Sequence, residues 1–141
     1  MKHHFENHDL VTERCSQLVD VTDDLRGAVE RAAVSNGMAL VYSPHTTCAI
    51  VINELEDGIA EDFAEALEEL APTESRYRHD EREEEHTRNG HSHVRAGLLA
   101  SSSQTIPIVG GSLMLGRYQR VFFCELDGSR ARKVFIQIIG D

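Results

Sequence analysis

The sequence has no tryptophan, only three prolines and three cysteines, and only two lysines among its fourteen basic residues. The cysteines are odd in number and share no CxxC spacing, which argues against a disulfide framework and fits a reducing compartment. No apolar run approaches the ~20 residues that a membrane helix needs. The first six residues, MKHHFE, contain no hydrophobic signal core. These absences predict a cytoplasmic protein with no membrane association.

The charge balance is strongly acidic. The chain has 24 acidic residues against 14 basic ones, a net charge of −10. This charge disfavours binding to nucleic acid, because the phosphates would be repelled. An acid-rich, lysine-poor composition favours a halophilic cytoplasm, where salt screens the repulsion between carboxylates. An ordinary acidic protein is the alternative.

The hydrophobic periodicity predicts one α+β domain over residues 1–141, with a layered, antiparallel-rich sheet and two to three helices. A chain of 141 residues is long enough for one domain with a hydrophobic core. One helix is expected to begin at the cap Thr22 and end at Asn36-Gly37. The other helices are predicted near 57–70 and 93–100. Strands are predicted as two short segments within 3–19, with a hairpin as one arrangement, and at 38–42, 47–54, 106–109, 113–115, 121–126 and 133–139.

The most informative stretch is PHTTCAIVINE, residues 44–54. Its alternation predicts a buried strand with polar groups at both ends, where functional sites are commonly built. Pro44 cannot donate to a sheet ladder, so the strand should break before His45. His45, Thr46 and Thr47 are therefore candidate site residues. The structural alternative is a turn that satisfies its own backbone.

A second unusual feature is Glu125, a carboxylate in an otherwise apolar strand. A half-buried carboxylate needs a partner, which could be an arginine, a histidine or a metal. The same end of the chain carries a basic cluster: Arg117, Arg120, Arg130, Arg132 and Lys133. Arginine forks match phosphate oxygens. The alternative is that these arginines pair with the acidic helices.

The middle of the chain, residues 73–92, is too polar to join a core. We interpret it as a functional loop, with a disordered linker as the alternative. His3, His4 and His8 near the start of the chain could be mistaken for a metal cluster, but a solvated strand explains them more simply. Carboxylates and imidazoles elsewhere could hold a divalent ion while arginines hold phosphate.

Three groups of residues resemble the motifs of the YjbQ-like proteins. They are His45-Thr46-Thr47 with Asn53-Glu54, then Asn89-x-x-x-His93 with Leu98-Leu99 and Thr105-Ile106-Pro107-Ile108, and finally Gly116-x-Tyr118-Gln119 with Phe123-Cys124-Glu125-x-Asp127-Gly128. They follow the family's order over nearly the whole chain. The resemblance implies a layered α+β domain that assembles as a homotrimer and acts as a secondary thiamine-phosphate synthase.

That activity joins a pyrimidine-methyl diphosphate to a thiazole phosphate and releases diphosphate. It needs a cation to neutralise the leaving group and donors to hold phosphate. We therefore expect a phosphorylated small-molecule substrate and a divalent metal, zinc or magnesium, of which the histidine-rich set suits zinc-like ions better. A metal-dependent hydrolase or phosphatase, or a non-catalytic ligand-binding trimer, would use the same groups.

The resemblance and the residue chemistry together assign the site residues. The predicted catalytic residues are His45, His93, Glu125, Asn53 and Glu54. The predicted metal ligands are His45, His93 and Glu125. The predicted substrate-binding residues are Thr46, Thr47, His79, Asp80, Asn89, Gln119, Arg117 and Arg130. We expect these side chains to converge on one pocket.

Overall fold

The computed structural model describes residues 1–81 and 88–141, which form eight strands and three α-helices. The strands are β1 Lys2–Val11, β2 Gln17–Asp20, β3 Gly37–Tyr42, β4 Cys48–Glu54, β5 Ser103–Val109, β6 Ser112–Leu113, β7 Gln119–Glu125 and β8 Ala131–Gly140. The helices are α1 Thr22–Ala32, α2 Asp57–Leu70 and α3 Gly90–Leu99, with a 3₁₀ helix at Arg78–Glu81.

The strands form two antiparallel sheets, and this confirms the predicted α+β fold. The five-stranded sheet has the order β1-β8-β3-β5-β6, and the three-stranded sheet has the order β2-β7-β4. The two strands at the start of the chain do not form a hairpin. β1 pairs along its length with β8, and β2 pairs with β7 in the other sheet. Local sequence could not show this, because both partners lie more than 100 residues away.

The main core lies between the two sheets and α1. It packs Leu25 and Val29 of α1 against Val41 and Ile136 of the large sheet and Phe123 of the small one. The other face of the small sheet is covered by residues of α2 and α3, in a second cluster that contains Cys124, Leu126 and Leu67. Strand β7 is therefore covered on both faces. Any polar side chain at its end must find its partners within the protein.

The first helix differs from the sequence prediction at both ends. The hydroxyl of Thr22 does not cap it; instead the Val121 amide donates to Thr22 Oγ1 over 2.8 Å, which joins the helix start to β7. The Thr22 amide donates to Asp20 Oδ1 over 2.9 Å. The helix ends at Ala33, which adopts φ 50°, so Asn36-Gly37 lies beyond it and Gly37 opens β3. The prediction of a helix end at Asn36-Gly37 was therefore wrong.

The second helix is less buried than its apolar stripe predicts. Leu67 is its one fully buried residue, while Leu70 is 69% exposed. Glu56 caps the helix by accepting from the amides of Gly58 and Ile59, each over 2.8 Å. None of the helices in the described residues is long and apolar enough to cross a membrane.

Gly37 should be essential for the close pairing of β3 with β8. It lies opposite Gly140, and a Cβ on Gly37 would stand 2.1 Å from the Ile139 carbonyl oxygen. We expect Gly37→Ala to lower the free energy of unfolding by about 1–3 kcal/mol, because the strands must separate to admit the methyl group. Urea denaturation measures this change.

Gly97→Ala in α3 is the matched control, because a Cβ built there meets no heavy atom of the described residues within 4 Å, its chain neighbours and its own helix backbone apart. Alanine should leave the stability unchanged or raise it by up to about 1 kcal/mol, through its better helix propensity. Equal stability of Gly37→Ala and the wild type would contradict the close strand pairing.

Candidate functional site

The carboxylate of Glu125 is fully buried at the end of β7 and is paired with Arg132 of β8. Arg132 donates from Nε to Oε1 over 2.8 Å and from Nη2 to Oε2 over 2.6 Å. Oε1 also accepts from the Thr12 hydroxyl over 2.7 Å. Oε2 also accepts from the Cys48 thiol over 3.2 Å and from the Leu126 amide over 3.1 Å. The arginine was one of the three partners that the sequence left open.

These hydrogen bonds decide the charge of Glu125. Burial alone would raise the pKa of the Glu125 carboxyl, but the hydrogen bonds from Arg132, Thr12 and Cys48 outweigh it and lower the pKa. The carboxylate is therefore ionised at neutral pH. Both of its oxygens are already occupied by donors from the protein, so the predicted role of Glu125 as a metal ligand does not fit this geometry.

His45 is held by the residue that follows Arg132. The Lys133 amide donates to His45 Nε2 over 2.9 Å, so this nitrogen carries no proton. The neutral ring must then carry its proton on Nδ1. The edge of the His45 ring also meets Phe123, with centroids 6.3 Å apart at 85°. The ring is thus fixed in both position and tautomer.

His45 and His93 line the same cleft. The cleft has a volume of about 630 Å³ and is formed by the segment between β3 and β4, by one side of α3 and by the residues before β5. Its lining residues are Tyr42, Ser43, Pro44, His45, Thr46, Cys48, His93, Ala96, Gly97, Ala100, Ser101 and Ser102. Thr46 belongs to the same lining. The small residues Ala96, Gly97 and Ala100 leave room beside His93.

Both imidazoles have lowered pKa values. Burial lowers the pKa of His45, and the charge of Arg132 lowers it further against the opposing effect of Glu125. Burial also lowers the pKa of His93, followed by the neighbouring His79. Since an ordinary histidine titrates near 6.5, both rings are neutral at pH 7 and above. At that pH a neutral His93 can accept a proton, while His45 presents only its Nδ1–H as a hydrogen-bond donor.

On the side away from the cleft, His93 contacts a network of side chains. Its ring lies against His79, with centroids 4.6 Å apart. His79 Nε2 is 3.1 Å from Asn89 Oδ1, and Asn89 Nδ2 donates to Asp127 Oδ2 over 2.8 Å. Arg130 Nη2 donates to the same Asp127 oxygen over 3.0 Å. His79, Asn89 and Arg130 therefore belong to one network with His93, although they do not line the cleft.

Two further predicted residues have structural partners. Asp80 Oδ1 accepts from the Gly90 amide over 2.9 Å and so satisfies the first turn of α3. Thr47 Oγ1 accepts from Arg132 Nη2 over 3.0 Å and is buried. The predicted role of both in substrate binding receives no support from their position. Residues 82–87 of the predicted functional loop, with His86, lie outside the described residues.

The structure does not bring Asn53, Glu54, Gln119 and Arg117 to this cleft. In the pairing of β4 with β7, Cys48 lies opposite Glu125 while Glu54 lies opposite Gln119. Six residues of strand separate these two ends by about 20 Å. Asn53 Oδ1 accepts from the Glu54 amide, and Gln119 Oε1 accepts from the Gly116 amide. The expectation that they form the wall of one pocket is wrong within a single chain.

The basic cluster is paired rather than open to phosphate. Arg120 binds Asp20 over 2.7 Å, Arg130 binds Asp127, and Lys133 binds Asp9 over 2.8 Å. Arg117 lies over the ring of Tyr118, 5.3 Å from its centroid. The predicted binding of phosphate by Arg117 and Arg130 is therefore not supported by the geometry. The alternative of paired arginines describes the cluster better, although the partners lie mostly outside helices.

Cys48 lines the cleft but is not an activated nucleophile. Burial raises the pKa of its thiol, and the adjacent Glu125 carboxylate raises it further. Burial likewise raises the pKa of Cys124 to about 12. A thiol attacks as the thiolate, so neither cysteine supplies one at neutral pH.

The predicted metal ligands His45, His93 and Glu125 can be compared with the geometry of a metal site. Within residues 1–81 and 88–141, no three histidine, cysteine, aspartate or glutamate side chains are grouped to hold a metal. Glu125 is occupied by Arg132, and His45 Nε2 by the Lys133 amide. The donors of one chain therefore do not fit a site formed by His45, His93 and Glu125.

Sequence reasoning missed several residues of this region. Thr12 gave no signal at all, because it reaches Glu125 from the other end of the chain. Arg132 was visible only as a member of the basic cluster. Asp127 was visible only as part of a family motif. Ser43 was missed although it is two residues from His45, because a lone serine before a proline carries no chemical signature.

Comparisons with known proteins agree on one family. The model of the UPF0047 YjbQ-like proteins matches residues 6–141. A UPF0047 protein from Archaeoglobus fulgidus is 39% identical over 130 residues, covering 92% of this chain and 97% of its own. The UPF0047 protein YugU from Bacillus subtilis is 31% identical, covering 92% of this chain and 94% of its own.

Solved structures give the same result. A YbjQ-like protein of unknown function from Sulfolobus solfataricus superposes with a TM-score of 0.93 at 33% identity, covering 99% of both chains. A YjbQ/UPF0047 family protein from Clostridium acetobutylicum gives a TM-score of 0.87 at 39% identity, covering 95% of this chain and 99% of its own. The chain therefore belongs to the UPF0047 YjbQ-like protein family.

Proposed function

We propose that this chain is a small-molecule enzyme in which His93 accepts a proton from an anionic, phosphorylated metabolite and His45 donates a hydrogen bond to it. The observation that carries the proposal is the presence of two neutral imidazoles in one cleft. A cleft of about 630 Å³ falls in the size range of small-molecule sites, roughly 300–1,000 Å³. Proton transfer by a positioned histidine is the commonest form of general acid–base catalysis.

The two histidines are suited to opposite roles. His45 accepts the Lys133 amide at Nε2 and can present only an N–H at Nδ1, so it acts as a hydrogen-bond donor. His93 has a lowered pKa and is neutral, so one of its ring nitrogens can accept a proton from the substrate. A donor and an acceptor in the same cleft are what a proton-transfer step requires.

The lining of the cleft favours an anionic substrate. The chain has 24 acidic residues, yet among the residues that the structure describes no carboxylate lines this cleft. A phosphate or carboxylate could therefore enter without facing a like charge. The phosphorylated class itself comes from the family resemblance. Neutral hydrogen-bond donors of the cleft would then bind the anion, since Arg120, Arg130 and Arg132 are already paired with carboxylates.

Thiamine-phosphate synthesis is the specific activity that we propose to test first. In that reaction a diphosphate leaves, and a metal such as magnesium would supply the neutralising charge when bound. The donors described here do not form such a site within one chain, and so we derive no step through a metal. A hydrolase that uses His93 to activate water, and a binding protein without chemistry, are the competing functions.

The test measures turnover with the purified chain and with His45→Gln and His93→Gln. Thiamine phosphate formation from the two phosphorylated precursors is followed by mass spectrometry, in parallel with phosphate release from a phosphomonoester. Each variant should lose roughly 10²–10⁴-fold in rate. His3→Gln is the control, because His3 is an exposed histidine on β1 and should leave the rate unchanged.

The pH dependence of the turnover rate should reflect the lowered pKa of His93. A base whose pKa is lowered stays unprotonated at neutral pH, so the rate should fall on the acid side only below the ordinary histidine range near 6.5. Undiminished turnover in both cleft variants would refute the assigned roles. Tight binding of the precursors with no turnover in either assay would instead favour the binding protein.

We also propose that the chain assembles as a homotrimer. The outer face of the five-stranded sheet exposes Phe5, Met38, Tyr42 and Val109, and Phe135 packs between Phe5 and Tyr42 with centroid distances of 5.7 and 6.2 Å. Exposed apolar patches of this kind mark protein interfaces. Light scattering should give about three times the chain mass of 15.8 kDa. A monodisperse monomer at micromolar concentration would contradict this assembly.

A further inference from the structure

Ser43 lines the cleft, and the fold makes no use of its buried hydroxyl. Ser43 is 1% exposed, and within residues 1–81 and 88–141 its Oγ has no hydrogen-bond partner. A buried hydroxyl without a partner is uncommon in native proteins and calls for an explanation. Rotation about χ1 can turn this hydroxyl toward the cleft without breaking any hydrogen bond, because it makes none.

The backbone places Ser43 and His45 together. The Ser43 amide donates to the Ser102 carbonyl over 2.8 Å, which fixes the start of the segment. Pro44 restricts the backbone between the two residues. In an extended segment, residues two apart project to the same side. Accordingly, both Ser43 and His45 line the cleft.

We propose that Ser43 and His45 together bind an anionic oxygen of the substrate, a phosphate oxygen in the first instance. The Nδ1–H of His45 can only donate, since the Lys133 amide occupies Nε2. A partner shared with the Ser43 hydroxyl must therefore be an acceptor. Within residues 1–81 and 88–141, no carboxylate lines the cleft to compete for these donors. Hydrogen bonds to a charged acceptor are stronger than those between neutral groups. The inference rests on the proposed anionic substrate.

Binding of inorganic phosphate and diphosphate tests this inference without any turnover. Calorimetry at pH 7.5 compares the wild-type chain with Ser43→Ala and Ser102→Ala. Ser43→Ala should weaken binding of the better of the two anions by about tenfold or more, as loss of a hydrogen bond to a charged group does. Ser102→Ala is the matched control: Ser102 lines the same cleft but is exposed, and its loss should change the affinity by less than about twofold.

Stability separates a binding role from a structural one. Because the Ser43 hydroxyl has no partner, Ser43→Ala should unfold at the same urea concentration as the wild type or a higher one. A destabilised or unfolded Ser43→Ala protein would show that the hydroxyl has a structural partner and would overturn the inference. Failure of both anions to bind the wild type, or equal binding to Ser43→Ala, would overturn it as well.

The result is independent of the proposed catalysis. If Ser43-dependent anion binding is found while no turnover occurs, the anion site stands and the catalytic proposal fails. If the cleft histidines prove essential for turnover while Ser43→Ala binds phosphate normally, the catalytic proposal stands and the role of Ser43 fails.

Discussion

The buried ion pair between Glu125 and Arg132 is the interaction on which the rest of the site depends. Glu125 ends β7 in the three-stranded sheet, and Arg132 lies on β8 in the five-stranded sheet, so the pair joins the two sheets at one end of the core. Thr12, Cys48 and Thr47 complete its hydrogen bonds. Removal of one member of such a pair leaves a buried charge, which typically costs 3–5 kcal/mol.

The same pair sets the properties of His45. Arg132 precedes Lys133, whose amide donates to the imidazole, so the position of β8 fixes the ring and its tautomer. The charge of Arg132 also contributes to the lowered pKa of His45. Glu125 is thus a residue that positions the site rather than a ligand or a catalyst. Its place in an apolar strand reflects the ion pair that joins the two sheets.

Much of the fold followed from the sequence, since apolar periodicity located each helix and most strands. The pairing of β1 with β8 did not, because it joins residues more than 100 positions apart and leaves no local signal. The end of α1 at Ala33 was also missed, because a left-handed alanine overrides the preference for glycine there.

The site was predicted in part. His45 and His93 line one cleft, and the sequence placed each of them where a regular element meets a loop. Asn53, Glu54 and Gln119 were placed with them on their motifs alone, and the antiparallel pairing of β4 and β7 puts them at the far end. Ser43 and Thr12 escaped notice since their importance comes from burial and from distant partners, neither of which a single sequence reveals.

The protonation states of His45 and His93 are the most direct test of the proposed site. Long-range ¹H–¹⁵N NMR of the ¹⁵N-labelled chain at pH 7.5 reports the tautomer of each ring. We expect both rings to be neutral, His45 to carry its proton on Nδ1 with a bare Nε2, and both to titrate below the ordinary histidine value near 6.5. A proton on His45 Nε2, or an imidazolium at either residue at this pH, would contradict the proposed site.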